Sequence, residues 1–137
     1  MTNVQVEDVS VVLPALWNLL GDYARAVDSR DTAAVGRLFG GSGTLALPDR
    51  DISGERALGE FTAQAPRGVH VQGVPTVERG PDGELHVTSN FVFVNAVTYA
   101  ISSGEYRDEI RSGEDGLFFA RRAITIKVRT SDEPPSE

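Results

Sequence analysis

Residues 104–128, GEYRDEIRSGEDGLFFARRAITIKV, decide the fold. Val, Ile, Phe and Tyr alternate with polar residues, and Ser112-Gly113-Glu114-Asp115-Gly116 interrupts them with turn formers. The stretch reads as two strands, Gly104 to Ile110 and Leu117 to Val128, joined as a hairpin. Strand residues two apart share a face, which groups Tyr106, Asp108 and Ile110 on one strand. On the other strand the same rule groups Phe118, Ala120, Arg122, Ile124 and Ile126. Two readings of Asp108 stand. Partly desolvated on a concave face, it is an acid–base group with a raised pKa. Paired with Arg122, it is half of a buried ion pair and stays ionised.

Outward from this hairpin the pattern stays strand-like as far back as Val69. Val69 to Val77 is one run, Gly80-Pro81-Asp82-Gly83 a tight turn, and Glu84 to Ile101 a long run that Ser102-Ser103-Gly104 breaks. Upstream of Val69 the period changes. Val9, Leu13, Leu16, Leu20, Tyr23 and Val27 recur at steps of three and four, one apolar helical stripe from about Ser10 to Asp28. Pro14 has no N–H to donate and fits the first turn of that helix. Asp31 caps a short helix, Thr32 to Phe39, which Gly40-Gly41 closes. Thr44 to Leu47 reads as a strand, and Glu55 to Gln64 as a third helix opened by Ser53-Gly54. Helices first and hairpin-connected strands afterwards predict an α+β fold. The expected architecture is a cone-shaped, curved, largely antiparallel sheet with the N-terminal helices packed on its concave face. One domain over 1–129 is expected, followed by a disordered polar tail, 130–137.

The chain has 137 residues, enough for one core and one pocket. Its net charge of −7 argues against nucleic acid or an anionic membrane as the main partner. It contains no Cys, which removes disulfides, thiolate metal sites and a Cys nucleophile. No apolar run approaches the roughly 20 residues of a membrane span, and the N-terminus lacks a basic region, so a cytoplasmic location is expected. Gly40-Gly41-Ser42-Gly43 lacks the Lys of a phosphate loop, and no Gly-x-Ser-x-Gly elbow is present. The two histidines, His70 and His86, do not suggest a metal site. The expectation is chemistry without metal or cofactor.

Four segments, in order, resemble the SnoaL-like branch of the nuclear transport factor two-like superfamily. They are Tyr23-Ala24-Arg25-Ala26-Val27-Asp28-Ser29-Arg30-Asp31 with Leu38-Phe39, then Gly54 to Phe61, then His70. The last is Gly104-Glu105-Tyr106-Arg107-Asp108 with Asp115-Gly116-Leu117-Phe118-Phe119 and Arg121-Arg122. The usual Trp after the glycine turn is Leu117 here. The resemblance implies the cone fold and a small-molecule pocket, with activities among dehydratases, isomerases and polyketide cyclases. It also implies non-catalytic relatives, including the small subunit of ring-hydroxylating dioxygenases. In scytalone dehydratase-type enzymes an Asp ends the first helix and a His opens the sheet half; Asp28 and His70 match them. The second catalytic His of those enzymes has no counterpart near Asn95. In ketosteroid isomerase-type members a first-helix Tyr matches Tyr23, while the strand-end Asp falls at Leu47, beside Asp49.

The candidate catalytic set is therefore His70, oriented by Asp28, with Tyr23 as a donor and Asp108 as a second acid–base group. His70 can take and give a proton near neutrality, and a carboxylate on one ring nitrogen leaves the other for a substrate. Asn95, Tyr106, Phe91, Phe93 and Trp17 are the candidate substrate contacts. Asp31 is explained by its helix cap, and His86 alternates to the opposite face. The expected function is acid–base catalysis on a mostly apolar, oxygenated small molecule such as a polyketide intermediate. The alternative is a binding or assembly subunit of the same fold. By resemblance a homodimer is expected, paired through the outer row Thr88, Asn90, Val92, Val94, Ala96, Thr98.

Overall fold

A computed structural model describes residues 2–130, with side chains from residue 9 onward. The chain runs α1 (Thr2–Asp28), α2 (Thr32–Leu38), β1 (Thr44–Ala46), β2 (Asp51–Ser53) and α3 (Glu55–Gln64). It continues as β3 (Gly68–Gln72), β4 (Thr76–Arg79), β5 (Leu85–Asn95), β6 (Ile101–Gly113) and β7 (Gly116–Arg129). The seven strands form one sheet in the order β2-β1-β7-β6-β5-β3, with β4 also on β5. All pairings are antiparallel except β1 with β7. This is the α+β arrangement that the sequence predicts, one curved, largely antiparallel sheet with the helices on one face.

Helix α1 begins well before Ser10, and Pro14 lies inside it rather than in its first turn. A proline withdraws one amide donor from the ladder, while the turns on either side keep theirs. Leu16, Leu19, Leu20, Tyr23 and Ala26 form its buried stripe. At its end Arg30 takes a left-handed conformation (φ 57°), and the amides of Arg30 and Asp31 return to the Val27 and Ala26 carbonyls. Asp31 then caps α2, accepting from the Ala34 amide at 3.1 Å. Leu16, Phe39, Leu45, Leu58, Ile110 and Phe119 are almost wholly buried and close the core between helices and sheet.

Several strand boundaries depart from the sequence reading. Val69 to Val77 is two strands, because Gly73 donates to the Asn90 carbonyl (2.7 Å) and Pro75 has no donor to continue the ladder. The long run ends at Asn95, and the break falls at the Ala96–Ala100 turn instead of Ser102–Gly104, which lie inside β6. The β6–β7 hairpin carries two bulges. Between the pairs Glu109↔Arg121 and Ile110↔Phe119, Ala120 is the extra residue. It turns Phe119 inward with Arg122, so Phe118 and Ala120 do not share the Arg122 face. Between Ser103↔Val128 and Gly104↔Ile126, Lys127 is the extra residue. Thr130 is tied to Ile101, its amide donating to the Ile101 carbonyl at 2.9 Å. The rest of the expected tail, 131–137, lies outside the described residues. No helix among the described residues is long and apolar enough to cross a membrane.

Candidate active site

The concave face encloses a cavity of about 640 Å³. Val27, Phe61, Phe91, Phe93, Ile124 and Ile126 supply apolar wall, and Tyr23, His70 and Tyr106 supply polar groups. Each comes from a different periodicity. The α1 stripe points Tyr23 at the sheet, and the period of two turns His70 of β3, Phe91 and Phe93 of β5 and Tyr106 of β6 inward.

His70 and Asp28 meet in two hydrogen bonds. The His70 amide donates to Asp28 Oδ2 at 2.9 Å, and the ring Nδ1 lies 2.6 Å from Asp28 Oδ1. A carboxylate only accepts, so Nδ1 carries the ring proton and Nε2 is left as an acceptor. Asp28 is the last residue of α1, where the helix dipole disfavours an anion, and the two His70 donors offset that cost. Both side chains keep about a fifth of their surface, 18% for His70 and 21% for Asp28. The Phe93 ring packs 4.6 Å from the imidazole.

Behind His70 the floor is made of stacked rings. Phe91 and Tyr106 stack at 4.4 Å, and Tyr106 meets Tyr23 edge-on at 6.1 Å. The Arg122 guanidinium lies 3.6 Å from the Tyr106 ring centre and 4.4 Å from that of Tyr23. Burial raises both tyrosine pKa values, so each keeps its proton. Arg122 also holds Asp108, from Nε at 2.9 Å and Nη2 at 3.2 Å, and reaches Gln72 Oε1 at 3.4 Å. Burial pushes the Asp108 carboxyl above its ordinary value, and the adjacent guanidinium offsets only part of that rise. Burial likewise works against the charged Arg122, and the combined pull of Asp108, Tyr106 and Tyr23 outweighs it, so the guanidinium keeps its charge and holds Asp108 in a two-bond pair.

Three sequence expectations change. Asp108 lies under the tyrosine floor in its ion pair and does not line the cavity. Trp17 is 56% exposed, because one residue past Leu16 turns it off the buried stripe. Asn95 lines the cavity, but its Oδ1 accepts from the Val97 and Thr98 amides at 2.8 and 3.1 Å, which leaves only its NH₂ for a ligand. Phe91, Phe93, Tyr106 and Tyr23 line the cavity. The sequence reading missed Gln72, Ser102 and Arg129. Ser102 stood as a strand break, and Arg129 turns inward only through the bulge at Lys127.

A sequence model of the SnoaL-like domain matches residues 15–123. A protein of unknown function from Mycobacterium tuberculosis, solved as an Asp-to-Asn variant, superposes with a TM-score of 0.81 at 20% identity, covering 89% of this chain and 75% of that one. ActVI-ORFA from Streptomyces coelicolor gives 0.68 at 20% identity, with 81% and 93% covered. Hexachlorocyclohexane dehydrochlorinase LinA-type3 from Novosphingobium barchaimii gives 0.76 at 10% identity, with 90% and 91% covered. At these identities the likeness is one of fold. No curated protein matches the chain.

Proposed function

We propose, from the premise that this chain belongs to the SnoaL-like domain family, that it is an acid–base enzyme working with its own side chains on a mostly apolar, oxygenated small molecule. The observation that carries the reading is the 2.6 Å contact by which Asp28 holds His70, whose ring lines the cavity. In this reading Nε2 of His70 takes a proton from a carbon next to a carbonyl or to a carbon bearing a leaving group. The freed electron pair forms a double bond and expels the leaving group (dehydration), is reprotonated elsewhere (isomerisation), or attacks a second carbonyl (cyclisation). Tyr23, kept protonated by burial, donates to the oxygen that gains charge. The working unit is one domain over 1–129, cytoplasmic, and paired as a homodimer through the outer sheet face. Val69, Val71 and Val128 leave that face apolar.

A second reading, a binding module, draws on one observation. Arg122 engages Asp108, which leaves His70, backed by Asp28, as the one histidine in the cavity wall among the described residues. Proton exchange separates the two. β-Tetralone, an apolar ketone with acidic C–H bonds, is incubated in D₂O and followed by NMR. The enzyme reading predicts deuterium uptake faster than in buffer, returning to the buffer rate in His70→Ala. Uptake at the buffer rate with wild-type protein supports the binding module.

A further inference from the structure

One straight row crosses the concave face. His70 of β3 pairs with Phe93 of β5, Phe93 with Ser102 of β6, and Ser102 with Arg129 of β7. All four side chains line the same cavity. Strict alternation after Ile124 and Ile126 would bring Val128 inward. The bulge at Lys127 instead puts Val128 on the outer face, 61% exposed, and brings Arg129 to the Ser102 side, where it lines the cavity while staying solvent-exposed. The other cations of β6 and β7 are committed. Arg107 and Lys127 pair with Glu105, Arg111 with Glu109, Arg121 with Asp51, and Arg122 with Asp108. Arg129 alone among them has no carboxylate partner among the described residues. It is also, among the described residues, the one Lys or Arg in the cavity wall. Asp49, the carboxylate on the same rim, is held by Arg50 at 3.3 Å.

We propose that the molecule taken by this cavity carries a carboxylate that docks on Arg129, at the opposite end of the row from His70. The guanidinium fork matches a planar carboxylate, and the hydroxyl of Ser102, the residue paired with Arg129, is a further donor beside it. Three strand spacings separate the Cα atoms of His70 and Arg129 by about 14 Å, and the inward reach of both side chains leaves about 10 Å for the ligand. The carboxylate therefore lies at one end of a two-ring-sized apolar body, with the reacting C–H at the other. The ligand class deepens the acid–base reading and rests on it for the role of His70, but docking on Arg129 is tested by binding alone.

The probes are para-phenylbenzoate, its neutral amide para-phenylbenzamide, and benzoate, titrated by NMR with the full chain. The proposal expects wild type to bind para-phenylbenzoate at least tenfold more tightly than the amide. Arg129→Gln removes that preference, and His70→Ala keeps it. Bound para-phenylbenzoate shifts the His70 ring signals, and benzoate, too short for the row, leaves them in place. Equal binding of acid and amide, a preference that survives Arg129→Gln, His70 signals unmoved by bound para-phenylbenzoate, or no binding of either two-ring probe overturns the proposal. A carboxylate preference that holds while β-tetralone exchange fails would remove the catalytic reading and leave the docking site.

Discussion

Replacing Arg122 by Met tests the buried layer on which the cavity floor rests. Met keeps an unbranched apolar stem but removes both bonds to Asp108, whose side chain is 0% exposed against 1% for Arg122. Stranding one partner of a buried pair costs about 3–5 kcal/mol. Losing the cation–ring contact with Tyr106 adds on the order of 1 kcal/mol. Out of a total stability of about 5–15 kcal/mol, that is a large share. The double variant Arg122→Met/Asp108→Leu removes both charges and is expected to regain most of the loss. The single variant also acquires a pH dependence. An unfolded Asp loses its proton near the ordinary value of 3.8, while burial without Arg122 holds the native carboxyl protonated to higher pH. The native state then binds more protons than the unfolded chain, so stability falls as pH rises. The fall is up to about 1.4 kcal/mol per pH unit until the native carboxyl ionises. Urea unfolding followed by circular dichroism, at about pH 5.5 and about pH 8, reads both effects. A single variant that loses under about 1 kcal/mol, or whose stability is flat between the two pH values, would refute the argument.

Three further outcomes follow from particular contacts. Gly104→Ala drives a Cβ into the Thr125 carbonyl at the second bulge, backbone that cannot swing aside, and urea unfolding should show a loss of about 1–3 kcal/mol. Asp31→Ala removes the α2 cap and should cost about 1 kcal/mol by the same assay, with the cavity unchanged. Val94→Asp places a charge between Val69 and Ile101 on the outer face, and light scattering should show dimer converting to monomer. A dimer that persists would place the pairing surface elsewhere.

Much of this architecture is legible in the sequence because its signals are local. The α1 stripe, the Asp31 cap, the extent of α3 and the glycine-bounded hairpin turn each depend on residues a few positions apart. Asp28 and His70 could be brought together only through a resemblance, since no local pattern links the end of a helix to an edge strand. The misread facings along β7 have one physical source. A bulge adds one residue to one strand and inverts every facing beyond it, with no composition of its own. Ala120 reverses the positions of Phe118 and Phe119, and Lys127 exchanges Val128 for Arg129. Asn95 was read from strand alternation, but its side chain serves the turn that ends the strand. The Asp108–Arg122 pair was one of two readings open in the sequence, and cross-strand pairing decides it.

The central claim, that Asp28 sets His70 as a base, is tested most directly by the tautomer of the His70 ring. ¹⁵N NMR of the neutral imidazole in wild type should show a single form with the proton on Nδ1. In Asp28→Asn the His70 amide can only donate, so it keeps the side-chain oxygen and the new NH₂ faces Nδ1. The proton should then move to Nε2, the atom needed as the base. A wild-type ring that mixes both tautomers, or a tautomer unchanged in Asp28→Asn, would contradict the account.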